Sequence, residues 1–191
     1  MSDGQKMSKL RPFRYLPALW VAAALLSACT TANPTFKYVP GFAIYQVQPG
    51  ITAQQMQTMD LDVLELEPAP ILALDDILAY TWETHAIELS EPARERIARL
   101  EVPVTAGLPF VVCVGDERIY AGAFWVSYSS MSFDGIVIDT LFAQMPDGSI
   151  RIQLGYPASP EFFVGADPRS DPRILQSLRE AGKLSTAQTN P

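Results

Sequence analysis

Residues 86–139 decide the fold. They read AIELS (86–90), EPARERIARL (91–100), LPFVVCVG (108–115), DERIYAGAF (116–124) and GIVID (135–139). In the first piece Ile87 and Leu89 fall on one face and Glu88 on the other, the alternation of a half-buried strand. Ser90 stands at a helix N-cap, with its hydroxyl placed to accept an orphan amide hydrogen bond. Pro92 is tolerated in the first turn and Glu91 complements the helix dipole. Ala93, Ile97 and Leu100 recur at helical spacing as one apolar stripe. Glu95 meets Arg99 one turn on, a pair worth only about 0.3–0.5 kcal/mol, so packing must hold the helix.

Phe110–Val114 is apolar at every position and reads as a central strand covered on both faces. Gly115-Asp116 is a tight turn, and 118–124 returns antiparallel. Gly122 marks a bulge or a close backbone approach. Strand, helix, strand, strand is an order that folds as a mostly antiparallel or a split βαβ sheet. The expected class is therefore α+β, with one main packing helix and a second helix at the C-terminus.

Working outward, Phe42 and Ile44 face one way and Tyr45 and Val47 the other, which predicts a first strand. Thr52 and Gln55 form a capping box, with Ile51 and Met56 at the staple positions, and predict a helix of about two turns. Leu61–Leu66 reads as a strand of weak register, broken by Glu67-Pro68-Ala69-Pro70. Asp75-Asp76 reads as a turn or helix start. Leu78–Trp82 and His85–Leu89 read as a hairpin turning at Glu83-Thr84. Thr140–Gln144 reads as a further strand and Pro146-Asp147-Gly148 as a turn. A final strand carries Ile150, Ile152 and Leu154 on one face. Ser170 or Asp171 caps the last helix, which Pro172 starts, Ile174, Leu175 and Leu178 bury, and Gly182 ends.

The N-terminus points to export. Lys6, Lys9, Arg11 and Arg14 precede a short apolar run, Leu16–Leu26, too short for an ordinary spanning helix. At its end stands Leu26-Ser27-Ala28-Cys29, which resembles the lipobox of bacterial lipoproteins. That resemblance implies cleavage before Cys29 and acylation of it, several chains anchoring far more firmly than one. Thr30, in place of the Asp that retains lipoproteins at the inner membrane, implies the outer membrane facing the periplasm; inner-membrane or surface anchoring is the alternative. The expected organisation is a signal peptide over 1–28, a tether over 29–40, one domain over 41–183 and a tail over 184–191.

The chain has 191 residues and a formal charge of -7; residues 29–191 hold 10 basic against 20 acidic residues, a charge of -10. That balance opposes nucleic-acid binding, which needs a positive track. With Cys29 lipidated, Cys113 is alone and reads as a small buried hydrophobe.

Residues 70–139 also resemble the first periplasmic domain of the SecD protein-export subunit. Ile87-Glu88-Leu89-Ser90 with Ala93 and Ile97 matches its strand-to-helix onset. Val111–Gly122 matches its hairpin, with Gly115-Asp116 where the family has Asp-Gly and Ala121-Gly122 for its small-Pro ending. SecD's transmembrane helices and proton-coupling carboxylates have no counterpart. The resemblance implies a periplasmic module that contacts polypeptides or other envelope proteins.

No residue cluster specifies a reaction, and no cofactor or metal is implied. His85 has no nucleophile at a telling spacing. Asp134 and Asp139, with the serine-rich loop, are candidates for a polar pocket. Gly165–Asp171 has oxygen ligands but lacks the EF-hand spacing. The surface candidate is the loop after Phe124-Trp125-Val126, with Trp125, Ser127, Tyr128, Ser129, Ser130 and Phe133. Aromatics beside hydroxyls suit contact with a protein chain or glycan; alternatively Trp125 and Phe133 close the core. The expected function is a noncatalytic, membrane-anchored envelope lipoprotein that binds an envelope protein. A glycan or small-molecule binding module and an envelope hydrolase are the alternatives.

Overall fold

The computed structural model describes residues 37–144 and 148–185. The expected signal peptide, Cys29 and most of the expected tether lie outside these residues, as do 186–191 and most of the turn at Pro146–Gly148. In chain order the elements are β1 (Phe42–Gln46), α1 (Ala53–Met56), β2 (Leu72–Ala73), β3 (Ile77–Thr81), β4 (Ala86–Leu89), α2 (Glu91–Ala98), β5 (Leu108–Val114), β6 (Glu117–Trp125), β7 (Phe133–Asp139), β8 (Ser149–Tyr156), α3 (Pro172–Glu180) and β9 (Leu184–Ser185). Short 3₁₀ turns cover 61–63, 74–76, 140–144 and 160–162. The class is α+β, as the patterning predicts.

The strands form one mixed sheet in the order β2-β1-β5-β6-β7-β8-β4-β3-β9. Only β6–β7 and β3–β9 pair parallel. Of the two sheet arrangements expected, the mostly antiparallel one forms. A split βαβ does not, because three strands separate β4 from β5.

The sheet curls. β2 stands at one end of the strand order and β3 next to the other, yet only Leu74–Asp76 joins them. Three intervening residues span at most about 14 Å, so the two ends lie close together. α3 and β9 fill the gap. Ser177 Oγ of α3 accepts from the buried Phe42 N–H of β1 at 2.8 Å. Six residues on, Lys183 O accepts from Tyr80 N of β3 at 2.7 Å, and β9 then pairs with β3. Leu184 and Ser185, expected in the tail, therefore belong to the sheet.

One face of the curl carries the main core. Phe42 and Ile44 of β1, Phe110 and Val112 of β5, Ile136 and Ile138 of β7, and Ile150 and Ile152 of β8 meet Ala93 and Ile97 of α2 and Ile174 and Leu178 of α3. The opposite residues of β1 and β5, Ala43, Tyr45, Val111 and Cys113, pack under Met56, Leu64 and Leu66. This second layer is why Phe110–Val114 is apolar without alternation. Burial pushes the Cys113 thiol up to about 12.

Several local expectations are corrected. Leu61–Leu66 is a 3₁₀ turn followed by a single bridge, Leu66 to Val47. Arg118 holds that turn by donating to the carbonyls of Leu61 and Leu64, so it is pinned from beneath rather than paired in a ladder. Thr140–Gln144 is 3₁₀, not strand. α1 is one turn long, although its capping box is complete. Ser90 occupies the N-cap of α2 but its side chain makes no capping bond; its carbonyl accepts from Arg94 N at 2.9 Å. Gly122 is a close approach: a Cβ there would collide with the Phe110 ring and Ile136 O, while the register shift falls between Val112 and Cys113. Tyr38 and Val39, expected in the tether, pack beside Tyr45, whose hydroxyl accepts from Val39 N at 2.8 Å.

Candidate functional site

The loop 126–132 connects β6 to β7, which run parallel and in contact, with Trp125 opposite Asp139. Parallel neighbours usually need a crossover of about a dozen residues or more. Here seven residues return the chain without a helix, and they are tied down along their length. Ser127 Oγ donates to Asp139 Oδ2. Ser129 Oγ donates to Val104 O at 2.5 Å and accepts from Met131 N at 3.2 Å. Tyr156 Oη donates towards two loop carbonyls, Ser127 O at 2.7 Å and Ser129 O at 3.2 Å.

This strap sorts the sequence-predicted residues into two groups. Trp125 and Phe133 are buried and stack with centroids 5.3 Å apart, with Tyr156 beside Trp125 at 5.9 Å. Gly107, at a φ of 63°, leaves room for the Trp125 ring, with which a Cβ there would collide. Both aromatics close a small core with Ala53, Ala123 and Val137, so they support the loop and are not presented by it. Ser127, Tyr128 and Ser130 are exposed and Ser129 is half-buried. Tyr128 is 64% exposed and Met131 45%. Val104, also exposed, is held against Ser129. The surface the loop offers is thus Val104, Tyr128 and Met131 around serine hydroxyls. Met131 and Val104 were not singled out in the sequence, because contact between 104 and 129 depends on the tertiary fold.

A second polar group lies in the main core. The β3–β4 turn is four residues long, Trp82–His85, instead of the expected two. His85 closes it with a φ of 52° and is buried. Its Nδ1 lies 3.0 Å from Tyr80 Oη. Burial first, then the Arg169 guanidinium, lowers the His85 pKa to about 4, against a weaker opposing effect of Asp167. The imidazole is therefore neutral at ordinary pH, and its tautomer sets which of Tyr80 Oη and Nδ1 donates. Burial raises the Tyr80 and Tyr120 hydroxyls well above the usual tyrosine range. Tyr120 Oη is buried without a hydrogen-bond partner among the described residues. Arg169 is gripped by Asp167 through two bonds of 2.9 and 2.7 Å and donates to Ile152 O at 2.8 Å. The Arg169 bonds hold the Asp167 carboxyl below its ordinary range.

The remaining candidates are dispersed. Asp76 accepts from Ala73 N and pairs with Arg96 at 2.7 Å. Asp134 accepts from Gln57 Nε2 at 2.7 Å, while Asp139 is bound to Ser127, so the two acids do not share a pocket bond. Asp171 caps α3 through Arg173 N and pairs with Arg173. Among the described residues no group of three or more His, Cys, Asp and Glu is placed to hold a metal ion, and no helix is long and apolar enough to cross a membrane. Comparison with family models, with curated proteins and with solved structures found no match.

Proposed function

We propose that this chain is a lipid-anchored envelope protein whose domain binds another envelope protein without catalysing a reaction. The observation that carries the anchor is the run from the basic Lys6–Arg14 segment through Leu16–Leu26 to Leu26-Ser27-Ala28-Cys29. Acyl chains on Cys29 fix the chain at a membrane, with the outer membrane facing the periplasm as the proposed location.

The geometry supports binding at a particular end of the domain. The chain enters β1 beside the Gly115 turn, where Gly115 N donates to Gly41 O at 2.9 Å. β1 pairs with β5 from Phe42–Val114 to Gln46–Phe110, so Val47 and Leu108 lie at the other end. Trp125 and the strap leave β6 at that same far end, since Leu108 pairs with Phe124. The exposed Val104–Tyr128–Met131 surface thus opens away from the point where the tether arrives. An exposed apolar and aromatic patch of this kind is suited to contact with a protein.

The anchor is tested by intact mass of the membrane-extracted protein and by incorporation of an alkyne fatty acid. The reading expects a mature chain beginning at acylated Cys29 and loss of both label and membrane association in Cys29→Ala. An unacylated chain that still contains residues 1–28 contradicts it.

A further inference from the structure

Two clefts flank the loop Gln48–Ile51 and share Val47, Gln48, Pro49 and Ile51 as a common wall. One, of about 280 Å³, continues to Pro103, Ala106, Gly107 and Pro109. The other, of about 230 Å³, continues to Met59, Val63 and Leu64. Val104 follows Pro103 directly and holds Ser129, so the first cleft runs into the Tyr128–Met131 surface. Together they make a strip of apolar side chains across one end of the sheet. Val63 is 60% exposed and Met59 is exposed beside it.

The charge around this strip is predominantly acidic. Between Lys37 and Arg94 the sequence carries nine carboxylates and no Lys or Arg. Neither cleft is lined by a cation. Asp60, Asp62, Glu65 and Glu67 lie within or beside the Met59–Leu64 wall, and none of them makes an ion pair among the described residues. The nearest cation, Arg118, is spent on the carbonyls of Leu61 and Leu64 and on Tyr38 Oη. Six other carboxylates, Asp76, Glu91, Glu95, Glu117, Asp167 and Asp171, each meet an arginine, while acids such as Asp75, Glu83, Glu88 and Glu161 make no ion pair among the described residues but line neither cleft. An apolar strip edged by four unneutralised carboxylates complements a segment that is both hydrophobic and positively charged.

We infer that the strip from Tyr128 through Pro49 to Val63 is a docking groove for a lysine- or arginine-rich amphipathic segment of a protein partner. This rests on the proposed function and names the chemistry of the partner it requires. Apolar side chains of the segment fill the two clefts on either side of Pro49, and its cations meet Asp60, Asp62, Glu65 and Glu67. Such an interaction weakens with salt, because Asp60, Asp62 and Glu65 are exposed and screened.

The test uses the full mature protein and a short amphipathic peptide of leucine and lysine bearing a benzophenone, with a leucine–glutamate peptide as control. Saturable binding of the lysine peptide is expected, with crosslinks at Met59, Val63 or Pro103–Pro109. The variant Asp60→Asn/Asp62→Asn/Glu65→Gln/Glu67→Gln should weaken it about tenfold. A variant that removes equal charge outside the clefts, Asp75→Asn/Glu83→Gln/Glu88→Gln/Glu161→Gln, should leave it within about twofold. Met59→Ser/Val63→Ser should also weaken it, at unchanged melting temperature. Equal weakening by both charge variants would reduce the effect to net charge and overturn the groove. Equal binding of the acidic peptide, or crosslinking of a photoreactive residue at 63 to the chain's own residues 30–36, would also overturn it. An unacylated Cys29 would defeat the anchor and leave this result standing, so the two failures are distinguishable.

Discussion

Tyr80 Oη lies 3.0 Å from His85 Nδ1, and His85 reaches it only by taking a left-handed backbone conformation at the end of the β3–β4 turn. The pair is enclosed by Trp82 on one side and lies within the field of Arg169 and Asp167 on the other. A buried neutral imidazole in such a place ties the hairpin to the pH of the medium.

His85 has its pKa lowered from 6.5 to about 4 on folding. Above 6.5 both folded and unfolded chains hold it neutral, and it contributes no pH dependence. Between 6.5 and 4 the unfolded chain takes up the proton and the folded chain does not, so stability falls as pH falls through that window and levels off below it. The slope is at most about 1.4 kcal/mol per pH unit. Asn tolerates a positive φ, so His85→Asn keeps the turn and removes the titration. Thermal melts from pH 7 to 4 should show a steeper decline for the native protein than for His85→Asn; parallel curves would contradict this account of the pair.

Ser177→Ala should test the closure of the sheet. It removes the acceptor of the buried Phe42 N–H, and an unsatisfied buried donor costs about 1–3 kcal/mol. Urea unfolding should show that loss, and hydrogen exchange should quicken at Phe42 and along β9. A loss confined to α3 would mean that the helix does not tie the two ends together.

Gly107→Ala should be far more damaging than Gly115→Ala. Both positions have positive φ, 63° and 61°, and share the backbone cost of about 1 kcal/mol or more. Only at Gly107 does the added methyl meet the Trp125 ring, an overpacking that adds about 1–3 kcal/mol. Fluorescence of the tryptophans should shift in Gly107→Ala and not in Gly115→Ala.

Tyr156→Phe removes the hydroxyl that reaches both Ser127 O and Ser129 O. The cost to global stability should be about 1 kcal/mol, because the loop carbonyls can turn to water. Local opening of 126–132 should rise more than global opening, which hydrogen exchange resolves.

Periodicity and cap chemistry made much of this fold legible. The alternation in β1, β4 and β8, the stripe of α2 and the capped start of α3 stand where the residues place them. The failures have physical causes. Leu61–Leu66 has strand-like composition, but Arg118 from a distant hairpin recruits its carbonyls into a 3₁₀ turn. The β6–β7 parallel pair and the return of β9 to β3 are long-range choices that no local pattern encodes. At the surface, Tyr128 was legible as an exposed aromatic, whereas Trp125 and Phe133 look the same in sequence and are buried by Gly107 and Tyr156. His85 and Arg169, far apart in the chain, come within electrostatic reach of each other only in the fold.

The central claim is that an acylated Cys29 holds this domain where it meets a protein partner. The most direct measurement is in-cell photocrosslinking from Tyr128 and Met131, with Cys29 intact and with Cys29→Ala, read by mass spectrometry. The account predicts one discrete protein adduct that requires Cys29. A folded, anchored domain that yields no adduct from either position, or the same adduct without Cys29, would contradict it.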